Sequence, residues 1–276
     1  MPVKLCDLSD LLVYQTQSVR EILSLAGLSQ DRRRSSIILL PEYQTARLLL
    51  QNYEAIVALC PVVHIPSARS AMNTFYIRLD EANQVNPSQA ALFLSLFSLS
   101  AFFFEPSIAS PVVVTDAETF QLSKIFAKSA LDVLEQLRRS GCGSLEEIQA
   151  YIVMSLAISH IDGFSARTRA LLSTATCIAQ DLRLHRLDDD EAPKPHSTDS
   201  RTAIDLEMKR RVFWYIASED WWDAYETCTV LLADSKQAPV DHLRASGGNI
   251  LDSNQSDPGQ PTSRLQRRRS SSRRVV

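Results

Sequence analysis

The chain has 276 residues and a mass of 30.9 kDa, which is enough for one large hydrophobic core or two small ones. Its 45% hydrophobic and 22% charged residues are close to globular averages, which excludes a wholly disordered or fibrous protein. Only 7 glycines occur against 12 prolines, and this favours helices over a glycine-rich Rossmann or β-barrel fold. We therefore predict an all-α protein.

The net charge of −3 hides a division between an acidic body and a basic tail. Six arginines and no acidic residue follow residue 261, which leaves a net charge of −9 on the first 261 residues. An acidic body repels the phosphate backbone, so any attraction to nucleic acid must come from the tail or from another module. The five cysteines stand singly, which indicates reduced intracellular thiols and no zinc cluster in this chain.

No segment has the pattern of a signal peptide or of a membrane span. Asp7 and Asp10 interrupt the apolar N-terminal stretch, which excludes the continuous apolar core of a signal peptide. The most apolar run, Ala90–Phe104, has 15 residues, fewer than the roughly 20 needed to cross a bilayer. We expect this run to form a buried central helix.

The first 38 residues are predicted to form a helix followed by an exposed basic linker. Apolar residues between Leu5 and Leu28 recur with an imperfect helical period that stops at Gly27. This pattern indicates a docking helix or a short coiled coil. The basic run at 32–36 then leads into the main domain, which is predicted over residues 39–226.

Helices are predicted to follow one another through the main domain. Pro41 is expected to open the first helix, which ends before Pro61. Ser67 is the predicted N-cap of the second helix, and Pro87 begins the apolar third helix. An irregular bundle of antiparallel helical hairpins is the expected architecture.

Capping patterns mark the remaining helices. Thr115 with Glu118, and Ser144 with Glu147, have the spacing of capping boxes. Gly163 ends the second of these helices at a short turn, so it and the helix over residues 165–184 should pack as an antiparallel hairpin. The last helix is predicted over residues 203–225, and the polar tail, residues 227–276, is predicted to be disordered.

Catalytic signatures are absent from the sequence. It contains no GxSxG, HExxH, GxxxxGK[ST] or GxGxxG motif, so no catalytic residue is assigned. The acidic run Asp188–Glu191 suggests the magnesium ligands of helical prenyl-diphosphate enzymes, but its spacing lacks the further acid and prolines follow it. A magnesium-dependent enzyme of that type is a remote alternative. No metal ligand and no cofactor is predicted for this chain.

The tail ends in a run of arginines and serines. Such a run is interpreted as a nuclear import signal, a phosphate-contacting arm, a phosphorylation switch that cancels charge, or a solvated tail. The candidate import or phosphorylation residues are Arg267, Arg268, Arg269, Ser270, Ser271, Arg273 and Arg274.

Three ordered segments of the main domain resemble one protein family. They are Ser144–Ala150, Asp181–Arg186 and Glu207–Trp214, the last followed by Asp220. With the PVVHIP segment at 61–66, they resemble the regulatory middle region of fungal zinc-cluster transcription factors, the fungal-specific transcription factor domain. The signature residues are Glu147, Gln149, Ala150, Leu184, His185, Arg186, Glu207, Arg210, Arg211, Phe213, Trp214 and Asp220.

These signature residues are expected to be structural. Glu207 precedes Arg210 and Arg211 at spacings that allow helical ion pairs. Phe213 and Trp214 are expected to anchor the last helix through their large apolar surfaces.

The resemblance covers about residues 39–222 and implies a nuclear transcription regulator of metabolic or secondary-metabolite genes, with no enzymatic activity. Its regulatory region, which includes effector and dimerisation functions, would act through protein contacts or small-molecule sensing. The implied partners are proteins, either a zinc-cluster transcription factor or the transcription machinery, with DNA contacted only indirectly and no membrane. The alternative is a truncated helical interaction scaffold without regulatory activity.

The sequence also departs from the family pattern. Members bind DNA through zinc held by six closely spaced cysteines, whereas only Cys6 precedes Leu40 here. After Thr227 the sequence diverges into polar residues. We therefore expect a domain that lacks the zinc cluster and is truncated at its C-terminus, with zinc and DNA binding implied only for full-length members.

Overall fold

The computed structural model describes residues 12–28, 37–104, 115–141, 143–187 and 200–235. Its elements are β1 (Val13–Gln17), α1 (Val19–Leu28), β2 (Ile37–Pro41), α2 (Tyr43–Ile56), α3 (Ile65–Asp80), α4 (Pro87–Phe102), α5 (Asp116–Ser140), α6 (Leu145–Asp162), α7 (Ala166–Asp181) and α8 (Ser200–Ser235). Short 3₁₀ turns follow α2 and α7. Most described residues are helical, which confirms the all-α prediction. The chain divides into a first unit, residues 1–225, and a second unit, residues 226–276, of which only the end of α8 is described.

The N-terminal segment contains a strand that the sequence pattern did not predict. β1 pairs in parallel with β2, with Val13 opposite Ile37, and α1 connects the two strands. The prediction of a continuous helix over residues 5–28 was therefore wrong for residues 13–17. β-Branched residues in both strands favour the extended backbone. Val19 and Ile22 of α1 are buried in the core, and the boundary predicted at residue 38 falls inside β2.

Two predicted helix starts were also wrong. Pro41 is the last residue of β2 rather than the first of a helix, a strand-end position that suits a residue without an N–H donor. The helix α3 begins at Ile65, and its N-cap is His64 rather than Ser67. The Ser67 hydroxyl instead lies 2.8 Å from Nδ1 of His64.

The apolar helix α4 is central, as predicted. Thirteen of its sixteen residues are buried, and it packs against α2, α5 and α6. The hydroxyls of Ser95, Ser98 and Ser100 pair with backbone carbonyls, since buried hydroxyls need partners. Ser98 and Ser123 each donate to the other's carbonyl oxygen, at 2.9 and 2.8 Å, which joins α4 to α5. Ser100 donates to the carbonyl of Leu49 in α2 at 2.6 Å.

The helix α5 begins at the capping box that its sequence predicts. The capping box is complete, because the Thr115 side chain accepts from the Glu118 N–H and the Glu118 side chain accepts from the Thr115 N–H. Its C-terminus is closed by Gly141 in the left-handed region, with φ of 71°. Glycine adopts this conformation without the steric cost that a side chain imposes.

The helices α6 and α7 form the predicted antiparallel hairpin. α6 ends at Asp162, and Gly163 follows with φ of 81°. At the other end of the pair, a Cβ built on Gly143 would lie 2.6 Å from Cγ2 of Ile178. The start of α6 therefore lies against the end of α7, and only glycine fits at this contact.

The helix α8 is longer than predicted. It spans Ser200–Ser235 instead of residues 203–225, so the boundary predicted at residue 226 falls within a helix. Residues 188–199 and the tail from residue 236 lie outside the described residues, so their predicted loop and disorder stay predictions. None of the described helices combines the length and the hydropathy that a membrane crossing requires.

Candidate functional site

Three helices converge on the loop between α2 and α3, residues 60–64, which we call the Cys60 loop. The Tyr53 hydroxyl of α2 donates to the Cys60 carbonyl at 2.9 Å. The Gln149 side chain of α6 donates to the Val62 carbonyl at 2.6 Å. The Tyr215 hydroxyl of α8 forms a hydrogen bond with the Cys60 thiol. The loop therefore positions α8 against the body of the domain.

The electrostatics of the Cys60 loop indicate a structural role. Burial raises the pKa of the Cys60 thiol to about 12, and burial also raises the pKa values of Tyr53 and Tyr215. A thiol with this pKa is protonated at neutral pH, whereas a reactive cysteine needs a thiolate. Cys60 consequently acts as a neutral hydrogen-bonding partner, not as a nucleophile.

The hydrogen bond from Gln149 should have a measurable effect on stability. Gln149→Ala leaves the buried Val62 carbonyl without its donor, so we expect the free energy of unfolding to fall by about 1–3 kcal/mol. Urea denaturation followed by circular dichroism measures this change. Gln51→Ala, the same substitution at an exposed position of α2, is the control. Equal effects of the two substitutions would show that the Gln149 bond contributes nothing specific.

The predicted signature residues of α6 and of the turn after α7 are mostly buried. Glu147, Gln149 and Ala150 are 2%, 6% and 0% exposed, and Leu184 is 2% exposed. His185 and Arg186 of the 3₁₀ turn are exposed. The structure thus brings Gln149 to the Cys60 loop and places His185 on a surface beside α8.

The aromatic residues of α8 differ from the predicted arrangement. Trp214 is 66% exposed, so the prediction that it anchors the helix was wrong. Phe213 is half-buried against the core and contacts Trp214 edge-on, with ring centroids 5.5 Å apart. The residues that anchor α8 are Val212, Ile216 and the hydrogen-bonded Tyr215.

The charged signature residues of α8 lie largely outside the core. Arg211 donates to Glu207 at 2.9 Å, which confirms the predicted ion pair at a spacing of four residues. Both side chains are about half exposed, so this pair stabilises the helix only slightly. Arg210 is partly exposed, and the Asp220 side chain and the arginine and serine residues of the tail lie outside the described residues.

A groove separates α7 from α8, and two signature residues line it. It encloses about 580 Å³ and is lined by Thr176, Ala179, Gln180, His185, Phe213, Ile216 and Ala217. The apolar side chains come mainly from α8, whereas α7 and the following turn contribute a hydroxyl, an amide and an imidazole. Such a combination suits an apolar molecule with a few hydrogen-bonding groups.

The groove has polar groups of two kinds besides the Gln180 amide. Among its lining residues, the sole titratable side chain is His185, and the hydroxyl of Thr176 donates to the Leu172 carbonyl at 3.0 Å. In the described part of the chain, no three histidine, cysteine or acidic side chains are grouped to hold a metal ion. The whole sequence has five cysteines, which is fewer than a six-cysteine zinc cluster requires. The residues present therefore do not fit that cluster.

Sequence reasoning missed Cys60, Tyr215, Thr176 and Gln180. The helical period contained a signal for Tyr215, because Met208, Val212 and Tyr215 share one face of α8. For the other three residues no sequence signal existed, since their roles depend on a neighbouring helix.

Comparison with known proteins places this arrangement in a family. The profile of the Fungal specific transcription factor domain matches residues 51–218. Probable transcription factor lepB of Aspergillus flavus is 40% identical over 66% of this chain and 33% of its own length. Transcription factor TAS2 of Pyricularia oryzae is 30% identical over 66% of this chain and 24% of its own length.

A third relative extends the comparison to a biosynthetic gene cluster. The Agnestins biosynthesis cluster transcription factor AgnL11 of Paecilomyces divaricatus is 27% identical over 75% of this chain and 30% of its own length. The matched regions thus span about a quarter to a third of these relatives. No solved structure matches this chain. The matched residues 51–218 include the Cys60 loop, both walls of the groove and all but one of the signature residues, and the chain belongs to the fungal specific transcription factor domain family.

Proposed function

We propose that this chain is the helical regulatory region of a nuclear transcription regulator, and that it acts by non-covalent contacts without catalysing a reaction. Its family and the names of three relatives support this role. The relative named for a biosynthesis cluster supports secondary-metabolite genes as the regulated class. We assign no cofactor to the chain. Zinc and direct DNA contact would lie outside these residues, because five cysteines cannot build a six-cysteine cluster.

The groove between α7 and α8 is the observation that carries this proposal. Its volume of about 580 Å³ lies within the range of small-molecule sites, and its lining is apolar with a few polar groups. A small effector bound there contacts both helices. Because Ile216 lines the groove while Tyr215, the preceding residue, bonds the Cys60 loop, the effector would bias the position of α8 relative to that loop.

A reporter assay tests the groove. The chain is fused to a heterologous DNA-binding domain, and reporter expression is measured against that domain alone. We expect the fusion to change expression, and Thr176→Arg to reduce this change at least about fivefold because the arginine fills the groove. Ala217→Arg, which fills the groove from α8, should have the same effect.

Ser173→Arg provides the matched control for Thr176→Arg. It makes the same charge change on an exposed position of α7, one turn from the groove. Thermal unfolding of each fusion shows whether the variants are folded. If the wild-type fusion leaves the reporter unchanged, the proposed regulatory role is wrong. If the control and the groove variants lose activity equally, the role of the groove is wrong.

A further inference from the structure

One face of α8 is exposed in the part of the helix whose side chains the structure describes. Its residues recur at alternating spacings of three and four, and together we call them the α8 outer stripe: Ile204, Glu207, Arg211, Trp214 and Ser218. All five are exposed, whereas Met208, Val212 and Ile216 on the core side are at most 5% exposed. This spacing is the repeat by which two helices pack along a common seam.

The order of residues along the stripe is self-complementary. An apolar residue, an acid, a base and an apolar residue follow one another as Ile204, Glu207, Arg211 and Trp214. The midpoint between Ile204 and Trp214 coincides with the midpoint between Glu207 and Arg211, at position 209. A second copy of the helix related by a two-fold axis at that position therefore places Ile204 against Trp214 and Glu207 against Arg211, each contact occurring twice.

We propose that the α8 outer stripe is a homodimer interface in which two copies of α8 pack antiparallel about position 209. Within each helix Arg211 already bonds Glu207 at 2.9 Å, so in the dimer each guanidinium lies between its own carboxylate and that of the second copy. A parallel pair would instead place Glu207 against Glu207 and Arg211 against Arg211. Like charges therefore disfavour the parallel arrangement, and the charge order selects the antiparallel one.

Trp214 is the expected anchor of this interface. Its side chain is 66% exposed on the monomer, and tryptophan is among the residues that contribute most to binding energy when buried at an interface. The stripe from Ile204 to Trp214 is about 15 Å long at 1.5 Å per residue, so the interface is small. We therefore expect a weak reversible dimer, with a dissociation constant on the order of micromolar to tens of micromolar.

Sedimentation velocity of the full chain over a range of concentrations tests the dimer, and charge reversal tests its register. Glu207→Arg places two arginines opposite each other in its own homodimer, and Arg211→Glu does the same with two glutamates. We expect each variant to be monomeric alone. Mixed together, they restore both opposite-charge contacts, so a heterodimer should form. Trp214→Ala should raise the dissociation constant at least about tenfold.

Glu54→Arg is the matched control, because it reverses one charge of an equally exposed ion pair, with Arg69, on α2. It should dimerise like the wild type. A wild-type chain that stays monomeric at about 100 micromolar, well above the expected dissociation constant, overturns the proposal. Failure of the two charge variants to associate when mixed overturns the antiparallel register. Neither result bears on the groove, whose test is the reporter assay.

Discussion

Phe97→Ala is expected to lower the free energy of unfolding by about 3–5 kcal/mol. Phe97 lies in the middle of α4 and is fully buried. Its ring contacts Phe126 of α5 edge-on at 6.0 Å between centroids, and stacks on Phe93 at 6.4 Å. Truncation removes these contacts and leaves a cavity where α4 packs against its neighbours. Urea denaturation followed at the helical circular dichroism band measures the loss. We expect the slope of the free energy of unfolding against urea concentration to stay unchanged.

Two further variants make the Phe97 result interpretable. Phe164→Ala removes the same ring from a position that is 46% exposed, and it should change stability by no more than about 0.5 kcal/mol. Phe97→Leu keeps most of the buried volume, so it stays measurable if the alanine variant fails to fold. A loss below about 1.5 kcal/mol for Phe97→Ala would show that the centre of α4 is not the tightly packed core described above.

The second large effect is expected from Glu147, and it depends on pH. The residue is 2% exposed, and its Oε2 has no hydrogen-bond partner among the residues that the structure describes. The Ser144 hydroxyl accepts from the Glu147 N–H at 3.2 Å, so the first half of the predicted capping box is present while the carboxylate is buried. Burial raises the pKa of Glu147 from 4.5 to about 7.

The raised pKa means that the folded protein binds this proton more tightly than the unfolded chain does. Between pH 4.5 and 7, unfolding therefore releases the proton, and the free energy of unfolding falls as the pH rises. Below pH 4.5 the destabilisation is absent, and above pH 7 it reaches its full size of up to about 3 kcal/mol. Glu147→Gln removes the charge and keeps the shape, so it should stabilise the protein by that amount at pH 8 and hardly at pH 4.

Urea denaturation at pH 4, 6 and 8 measures this difference between the wild type and Glu147→Gln. Glu146→Gln makes the same change at the neighbouring, half-buried position and controls for the loss of one negative charge from the first turn of α6. If Glu147→Gln gives the same stability difference at all three pH values, the carboxylate is not held in a desolvated environment.

Local sequence patterns predicted much of the helical scaffold. The complete capping box of Thr115 with Glu118 and the turn at Gly163 both involve groups within a few residues of one another. Their hydrogen bonds and backbone preferences are therefore present in the sequence itself. The same holds for the central position of α4, because a helix without charged residues, whose apolar side chains point in all directions, is buried on every side.

Sequence reasoning failed where a contact joins distant residues. β1 forms only by pairing with β2, more than twenty residues later, and nothing within residues 13–17 indicates that partner. The sequence could not show that Tyr215 rather than Trp214 anchors α8, and the reason is the same. Both are large aromatic residues in a signature motif, but the Cys60 loop lies on only one face of α8.

The sequence by itself determined the helical class, several helix ends and the family, because periodicity, capping and motif order are local properties of the chain. Only the tertiary structure decided that Gln149 and Tyr215 fix the Cys60 loop, that His185 and Phe213 line one groove, and that Glu147 is buried. Burial, hydrogen bonding across helices and the resulting pKa changes depend on which surfaces meet in three dimensions, and the spacing of residues along the chain does not specify that.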